Sequence, residues 1–147
     1  MKITSPAFSN NQTLPAKYSC DGEGINPPLG FSEIPINTKS LALICDDPDA
    51  PSGSFCHWLL WNINPQETQI AERSVPQGAT QGINSGEKPG YYPPCPPQGV
   101  HRYIFSLYAL DIELDLPSSA DKSQLEQTIQ NHILEQVELT GLYRQES

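Results

Sequence analysis

Residues 101–110 read His-Arg-Tyr-Ile-Phe-Ser-Leu-Tyr-Ala-Leu, and this stretch decides the fold class. Large apolar side chains occupy both alternating faces of an extended chain here, and the aromatic content favours a strand over a helix. A strand that is apolar on both faces has to be covered on both sides, as in the interior of a β-sandwich. The stretch therefore predicts a mostly β protein with a buried central strand.

Two further apolar runs extend this prediction toward the N-terminus. Residues 40–45 (Ser-Leu-Ala-Leu-Ile-Cys) and residues 57–63 (His-Trp-Leu-Leu-Trp-Asn-Ile) are short and apolar, which is typical of buried strands. Weaker strands are expected near residues 7–8, 29–31 and 139–143. The polar segment between residues 64 and 88 is expected to be a long loop, and such loops are usually functional or protective.

A helix is predicted between residues 118 and 138. Residues 118–121 (Ser-Ser-Ala-Asp) supply an N-cap and an acid near the helix start, which suits the helix dipole. Apolar side chains then recur every four residues, with Leu134 widening the stripe: Leu125, Ile129, Ile133 and Val137. We therefore expect a C-terminal helix whose apolar stripe packs against the β core.

Composition and charge exclude several classes of function. The 147 residues suit one domain, residues 1–147, and 8 basic against 17 acidic residues give a net charge of -9. Nucleic acid and anionic membrane surfaces are disfavoured, because both require clustered Lys and Arg. No apolar run approaches the ~20 residues that cross a bilayer. Residues 1–6 are not followed by an apolar signal core, so a cytoplasmic protein is expected.

Proline and cysteine mark the loops. Of the 15 prolines, five fall within residues 89–97, a segment that cannot be a helix or a central strand and that we interpret as a stiff wall around Tyr91 and Tyr92. The cysteines form no Cys-x-x-Cys pair, so the strong zinc and thioredoxin signatures are absent from the sequence. Cys45 is expected in the core. Cys20 and Cys95 are two thiols or a disulfide, and the sequence does not decide between them.

Two histidines at the starts of predicted strands are the candidate functional residues. His57 and His101 each open a buried strand, and the loop before the first contains three acids in four positions, residues 46–49. If the two strands are parallel neighbours, both imidazoles lie at the same end of a sheet, within reach of those acids. Arg102 faces the opposite side of its strand and is expected to form a structural ion pair.

Four interpretations fit these residues. In the first, the histidines are hydrogen-bonded edge residues beside an Asp-Pro-Asp turn, and in the second, the two His and a carboxylate bind a metal. In the third, Cys95 or Ser54 is the nucleophile of a hydrolase, although no nucleophile elbow surrounds either residue. In the fourth, a small pocket binds an anion or zwitterion without reacting it. The last fits best, because imidazoles and backbone N–H groups bind phosphate while an acid orients the rings.

Three motifs in order resemble the phosphatidylethanolamine-binding protein family, also called Raf kinase inhibitor-like. They are Asp-Pro-Asp-Ala-Pro at residues 47–51, the strand at 57–63, and Pro-Cys-Pro-Pro-Gln-Gly-Val-His-Arg-Tyr at 94–103. The resemblance covers nearly the whole chain in its short bacterial form. It implies a β-sandwich of two antiparallel sheets with a flanking helix, and a small pocket for phosphate-type anions.

The resemblance also assigns residues. The pocket would be lined by Asp47, His57, Pro94, His101 and Tyr103, with Asp49 and Pro51 shaping the first loop. It suggests a cis Ala50–Pro51 bond and a homodimer. Pro93 stands where many relatives have glycine, which would stiffen or narrow the mouth. The longer eukaryotic forms add a C-terminal segment beside the pocket, so lipid binding and kinase inhibition do not transfer.

The functional prediction is a non-catalytic binding protein for small phosphorylated or other anionic ligands, with a sensory or regulatory role and no cofactor. The alternative is a metal- or thiol-dependent hydrolase that uses the same His, Asp and Cys pocket. Expected partners are the small ligand and a second copy of the chain, not nucleic acid or the membrane interior.

Overall fold

The computed structural model describes residues 1–146, in which nine strands, one α-helix and one 3₁₀ turn (Ala16–Tyr18) are found. The bounds are β1 Lys2–Thr4, β2 Gln12–Thr13, β3 Leu29–Ser32, β4 Ser40–Asp47, β5 Phe55–Ile63, β6 Gln69–Ile70, β7 Thr80–Gln81, β8 Val100–Leu110, α1 Lys122–Ile129 and β9 Ile133–Arg144. The prediction of a mostly β chain in two sheets with one helix is confirmed.

The strands form a large and a small sheet. The large sheet has the order β2-β9-β8-β4-β5-β7 and the small one β1-β3-β6. The pairs are antiparallel except at one edge, where β2 runs parallel to β9. The longest strands, β4, β5, β8 and β9, lie together, so the site at their ends rests on the best-paired part of the fold.

Two apolar layers cover the faces of the large sheet. Leu43, Trp58 and Phe105 belong to the layer shared with the small sheet, whereas Leu59 and Trp61 belong to the layer beneath α1. The central strands are therefore apolar on both faces because a sheet covers one side and a helix with its flanking loop covers the other. Trp58 and Trp61 lie on opposite faces and are both fully buried, as expected for core residues.

Most strand predictions are confirmed. The runs at 40–45, 57–63 and 101–110 fall within β4, β5 and β8, and the weaker runs at 29–31 and 139–143 fall within β3 and β9. Residues 7–8 are not a strand; Phe8 is buried as a loop residue, with its ring 6.1 Å from that of Phe105. The loop predicted at 64–88 contains the two short strands β6 and β7.

The helix prediction is correct at its start and wrong at its end. Asp121 is the N-cap of α1 and forms a capping box with Gln124, but α1 ends at Ile129 and the next residues turn back through Asn131, whose φ is 76°. Ile133 and Val137 lie in β9, which pairs with the whole of β8. A spacing of four is also a multiple of the strand period of two, so the apolar stripe fitted both structures.

The sheet order explains how the two histidine strands meet. Strand β4 lies between β5 and β8 and is antiparallel to both. Strands β5 and β8 therefore run parallel to each other and begin at the same end of the sheet. The prediction assumed that they are direct neighbours, whereas β4 lies between them. The end of β4 lies between their starts, with Asp47 opposite Phe55 and Asp46 opposite Ile104.

Candidate functional site

A cavity of about 170 Å³ opens where β4 ends and β5 and β8 begin. Five of the seven residues predicted for the pocket line it: Asp47, Pro51, His57, His101 and Tyr103. The lining is completed by residues of the first loop, of strand β5 and of the proline-rich segment: Ala50, Phe55, Tyr92, Cys95 and Pro97. The fold thus brings four segments to one small concavity, namely the end of β4 with the loop after it, the start of β5, the proline-rich segment and the start of β8.

The first polar pair of the cavity is Asp47 with His101. Both side chains are buried, and Nδ1 of His101 lies 2.6 Å from Oδ2 of Asp47. The other carboxylate oxygen, Oδ1, accepts the backbone N–H of Asp49 at 2.8 Å. Because a carboxylate can only accept hydrogen bonds, Nδ1 of His101 carries the hydrogen, and the ring is held in one orientation.

The second imidazole is held by the proline-rich wall. Nδ1 of His57 lies 2.6 Å from the backbone carbonyl oxygen of Tyr92, and the N–H of Tyr92 donates to the carbonyl of His57 at 2.7 Å. The rings of Phe55, Tyr92 and Tyr103 surround the imidazole, with centroids 4.8, 5.8 and 5.1 Å away. Burial among them lowers the pKa of His57, so this ring stays neutral at physiological pH.

These contacts define the nitrogens that remain for a ligand. Both Nδ1 atoms donate to oxygen acceptors of the protein, so Nε2 is the nitrogen of each ring left to face a bound molecule. In the neutral ring Nε2 is an acceptor, and it becomes a donor only when the ring takes a proton. Burial raises the pKa of the Tyr103 hydroxyl, which therefore stays protonated as a donor. The cavity can present donors to an anion after proton uptake.

The three acids at the end of β4 and in the loop after it have three different partners. Besides the pair of Asp47 with His101, Asp46 lies 2.6 Å from the ammonium of Lys122 at the start of α1. The carboxylate of Asp49 accepts from the backbone N–H, Nε and Nη2 of Arg102 at 3.0, 3.0 and 2.9 Å, and this contact lowers the pKa of Asp49. Arg102 forms the predicted ion pair.

Two predicted pocket residues do not line the cavity. Asp49 fastens the first loop to β8 through Arg102 and borders a neighbouring depression. Pro94 is buried behind the wall, where its carbonyl accepts the backbone N–H of Cys20 at 3.0 Å. The geometry therefore places both as supports of the pocket walls. Pro93 does not line the cavity either; its ring packs against Gly24, where an added Cβ would lie 2.9 Å from it.

The prediction of a cis Ala50–Pro51 bond is wrong, since residues 1–146 contain no cis peptide bond. The N–H of Gly53 donates to the carbonyl of Ala50 at 3.1 Å, so Pro51 is the second residue of a four-residue turn. A trans proline suits that position, whereas a cis proline belongs one residue later in a turn. Asp47 faces the cavity because of its hydrogen bonds to Asp49 and His101 instead.

Sequence reasoning missed two aromatic contributors to the site. Phe55 is two residues before His57 in β5, and Tyr92 is predicted only as part of the proline-rich wall. Cys95 forms a disulfide with Cys20, which decides the alternative that the sequence left open. Strand alternation could have indicated Phe55, but no sequence signal reports that Tyr92 offers its backbone carbonyl to an imidazole.

The residues of the alternative hydrolase are arranged differently from what that interpretation requires. The sulfur of Cys95 is bonded to that of Cys20, and Ser54 is exposed and does not line the cavity. Within residues 1–146 no group of three or more His, Cys, Asp or Glu side chains is positioned to hold a metal ion. In the same part of the chain, no helix is long and apolar enough to span a membrane.

Comparison with known proteins agrees with this architecture. The sequence model described as phosphatidylethanolamine-binding protein matches residues 4–144. A UPF0098 protein of Methanothermobacter thermautotrophicus is 46% identical over 149 residues, which cover 98% of this chain and 99% of that protein. A UPF0098 protein of Chlamydia muridarum is also 46% identical, over 99% of this chain and 100% of that protein.

Two crystal structures have the same fold. A phosphatidylethanolamine-binding protein homologue, CT736 from Chlamydia trachomatis, superposes with a TM-score of 0.94 at 43% identity, over 98% of this chain and 97% of that one. YbcL of E. coli, described as a new member of the mammalian family, superposes with a TM-score of 0.92 at 26% identity, over 99% and 98% of the two chains.

Proposed function

Because the chain belongs to the phosphatidylethanolamine-binding protein family, we propose that it binds a small anion, free phosphate or the phosphate group of a small ligand, without reacting it. The observation that carries this proposal is the pair of imidazoles at one cavity, each with Nδ1 engaged by the protein and Nε2 left for a ligand.

The electrostatics require the binding energy to be local. A net charge of -9 repels an anion at long range, so affinity has to come from short-range donors. Nε2–H of a protonated His101 and the hydroxyl of Tyr103 are such donors, and the Asp47 carboxylate 2.6 Å from Nδ1 stabilises the imidazolium. The same carboxylate repels the anion, which favours a ligand of low charge.

The size of the cavity limits the ligand. Pockets for drug-sized molecules occupy about 300–1,000 Å³, and this one has about 170 Å³. The volume suits an inorganic oxyanion or a phosphoryl group with a short substituent. The half-buried Phe55 and the exposed Tyr92 form an aromatic rim, on which a small apolar or cationic substituent can rest.

A sensory or regulatory role, a cytoplasmic location and a homodimer complete the proposal. The disulfide leaves Cys95 without a thiol, which disfavours a thiol hydrolase in this oxidised form. Light scattering tests the dimer, since a mass near 16.2 kDa at all workable concentrations would remove it.

The test is calorimetric titration of inorganic phosphate and of phosphoethanolamine into the wild type, His101→Ala and His132→Ala. His132 is a matched control, because its Nδ1 also contacts a carboxylate, Asp111 at 2.9 Å, but the pair is exposed and follows the other end of β8. We expect binding that is lost in His101→Ala and kept in His132→Ala.

Two results would overturn the proposal. The first is that the wild type binds neither probe, or that His101→Ala binds the probes as tightly as the wild type does. The second is turnover of phosphoryl or acyl esters that His101→Ala abolishes, which would support a hydrolase instead. Retention of phosphoethanolamine but not phosphate would show that the substituent on the rim is required.

A further inference from the structure

The Cys20–Cys95 disulfide lies at the cavity and joins segments that are 75 residues apart in the chain. Cys95 is itself a lining residue, and both cysteines are exposed. A thiol reagent in solvent can therefore reach the bond, and any change in it acts directly on the wall of the site. The anion chemistry proposed above makes no use of this bond.

One end of the bond is anchored. Ser19 donates from its hydroxyl to the carbonyl of Ala16 at 2.8 Å, and the carboxylate of Asp21 accepts the hydroxyl of Tyr143 and the backbone N–H of Glu146. Cys20 thus lies between two residues that are tied to the 3₁₀ turn and to the end of β9. This segment can hold the other partner of the disulfide in place.

The other end lies on a segment with few attachments. Within the described chain, residues 95–99 make no hydrogen bond, and two of these residues are prolines without an N–H. The bond from the N–H of Cys20 to the carbonyl of Pro94 is the last before β8 begins at Val100. Packing of the buried Pro96 and the disulfide are what hold this part of the wall.

We propose that the Cys20–Cys95 disulfide is a redox-sensitive latch on the anion pocket, closed in the oxidised protein and released by a dithiol. This inference rests on the proposed function, because it concerns the affinity of that same pocket. A thiolate of the dithiol attacks one cysteine sulfur, the S–S bond breaks, and a mixed disulfide forms. The second thiol of the reagent then displaces the remaining cysteine, so two electrons pass to the protein and the reagent becomes a cyclic disulfide.

Reduction of the disulfide weakens anion binding because the ligand then has to order residues 95–99 when it binds. Residues 95–99 lie in one position while the latch is closed, and after reduction only part of the population retains that position. The observed affinity falls by that fraction, and we expect a loss of about tenfold. The reverse effect follows by linkage: a bound anion has to stabilise the oxidised form by the same factor, and tenfold corresponds to about 30 mV in reduction potential for two electrons.

The remaining cysteines make the experiment clean. Cys45 and Cys56 are buried, and burial raises the pKa of both thiols, that of Cys56 to about 12. They therefore react slowly in the folded protein. Treatment of native protein with dithiothreitol should raise the number of fast-reacting thiols from zero to two.

The experiment compares phosphate affinity in the oxidised, the reduced and the reoxidised protein, with Cys20→Ser/Cys95→Ser and Cys56→Ala as variants. We expect reduction to weaken phosphate binding about tenfold and reoxidation to restore it. The double serine variant should bind like the reduced protein and ignore dithiothreitol, whereas Cys56→Ala should respond like the wild type. Saturating phosphate should slow reduction and shift the potential by about 30 mV.

The outcomes separate this inference from the proposed function. If oxidised protein binds phosphate and reduced protein binds it equally, the latch is wrong and the function stands. If the oxidised protein binds neither phosphate nor phosphoethanolamine, the function fails, and hydrogen exchange of the Cys20 N–H, which donates to the carbonyl of Pro94, tests the latch alone when it is compared in the two redox states. Equal exchange in both states would refute it. Reversible reduction of the wild type supplies the answer even if the double variant does not fold.

Discussion

Anion binding should be coupled to the uptake of one proton, and His101 should carry it. Both imidazoles donate from Nδ1 to protein oxygens, so in the neutral state each offers the ligand only a lone pair on Nε2. An oxyanion without its own proton cannot be bound by a lone pair. Binding therefore requires a proton on one ring, and the Asp47 carboxylate beside His101 makes that ring the favourable one.

The size of the pH dependence of anion affinity follows from the number of protons taken up on binding. Where the ring is neutral before the anion binds, taking up one proton makes the affinity fall tenfold for each pH unit, which is about 1.4 kcal/mol. Burial lowers the pKa of His57, so this ring contributes no proton in the same range. Between pH 7 and 8 the slope of log affinity against pH should thus be about -1, and not -2.

Sulfate is the decisive probe, because it has no titrating proton of its own in this range. Calorimetry in two buffers of different ionisation enthalpy counts the protons directly, and we expect about one per sulfate in the wild type and in His132→Ala. His57→Ala should keep that slope, His101→Ala should lose it, and Asp47→Asn should weaken the uptake. A flat profile in the wild type, or an undiminished slope in His101→Ala, would refute this reasoning and assign recognition to backbone N–H groups.

Three predictions concern stability. The pKa of His57 is lowered by burial, so the unfolded chain takes up this proton at a higher pH than the folded chain does. The free energy of unfolding therefore falls as pH drops through the ordinary imidazole value of about 6.5. Urea unfolding of His57→Gln should show a smaller fall over that range, and an equal fall would contradict the assignment of this pH dependence to His57. Asp121→Ala removes the capping box with Gln124 and should cost about 1 kcal/mol without changing phosphate affinity, which unfolding and titration of the same sample check. Leu43→Ala, at a fully buried position between the sheets, should cost about 2–5 kcal/mol; a loss below about 1 kcal/mol would mean that this layer can collapse around the cavity.

Much of the fold could be predicted because its signals are local. The runs at 40–45, 57–63 and 101–110 are apolar on both faces, and a strand of that kind has to lie inside a layered structure whatever surrounds it. The helix start was equally local, since the cap residue Asp121 and its partner Gln124 are three positions apart. The helix end was not, because the pairing of β9 with β8 overrode a spacing that suits either structure.

The candidate site was predicted in part for the same reason. The motifs at 47–51, 57–63 and 94–103 identified five of the residues that line one cavity, and residue types alone indicated which of them can carry a proton. They did not show that the carboxylates of the first loop would separate, with Asp47 toward His101 and Asp49 toward Arg102. Which partner each acid finds depends on the strand that lies beside it.

The sequence by itself therefore determined the central strands, the family and the set of polar residues near the strand ends, because alternation and short motifs act over a few neighbouring positions. Only the tertiary structure decided that β4 separates the two histidine strands, that Tyr92 holds one imidazole by its carbonyl, and that Cys20 pairs with Cys95. These contacts join residues 35 to 75 positions apart. Such pairings are chosen by the packing of whole sheets, since the entropy lost in closing a long loop depends only weakly on its length and does not single out one distant partner over another.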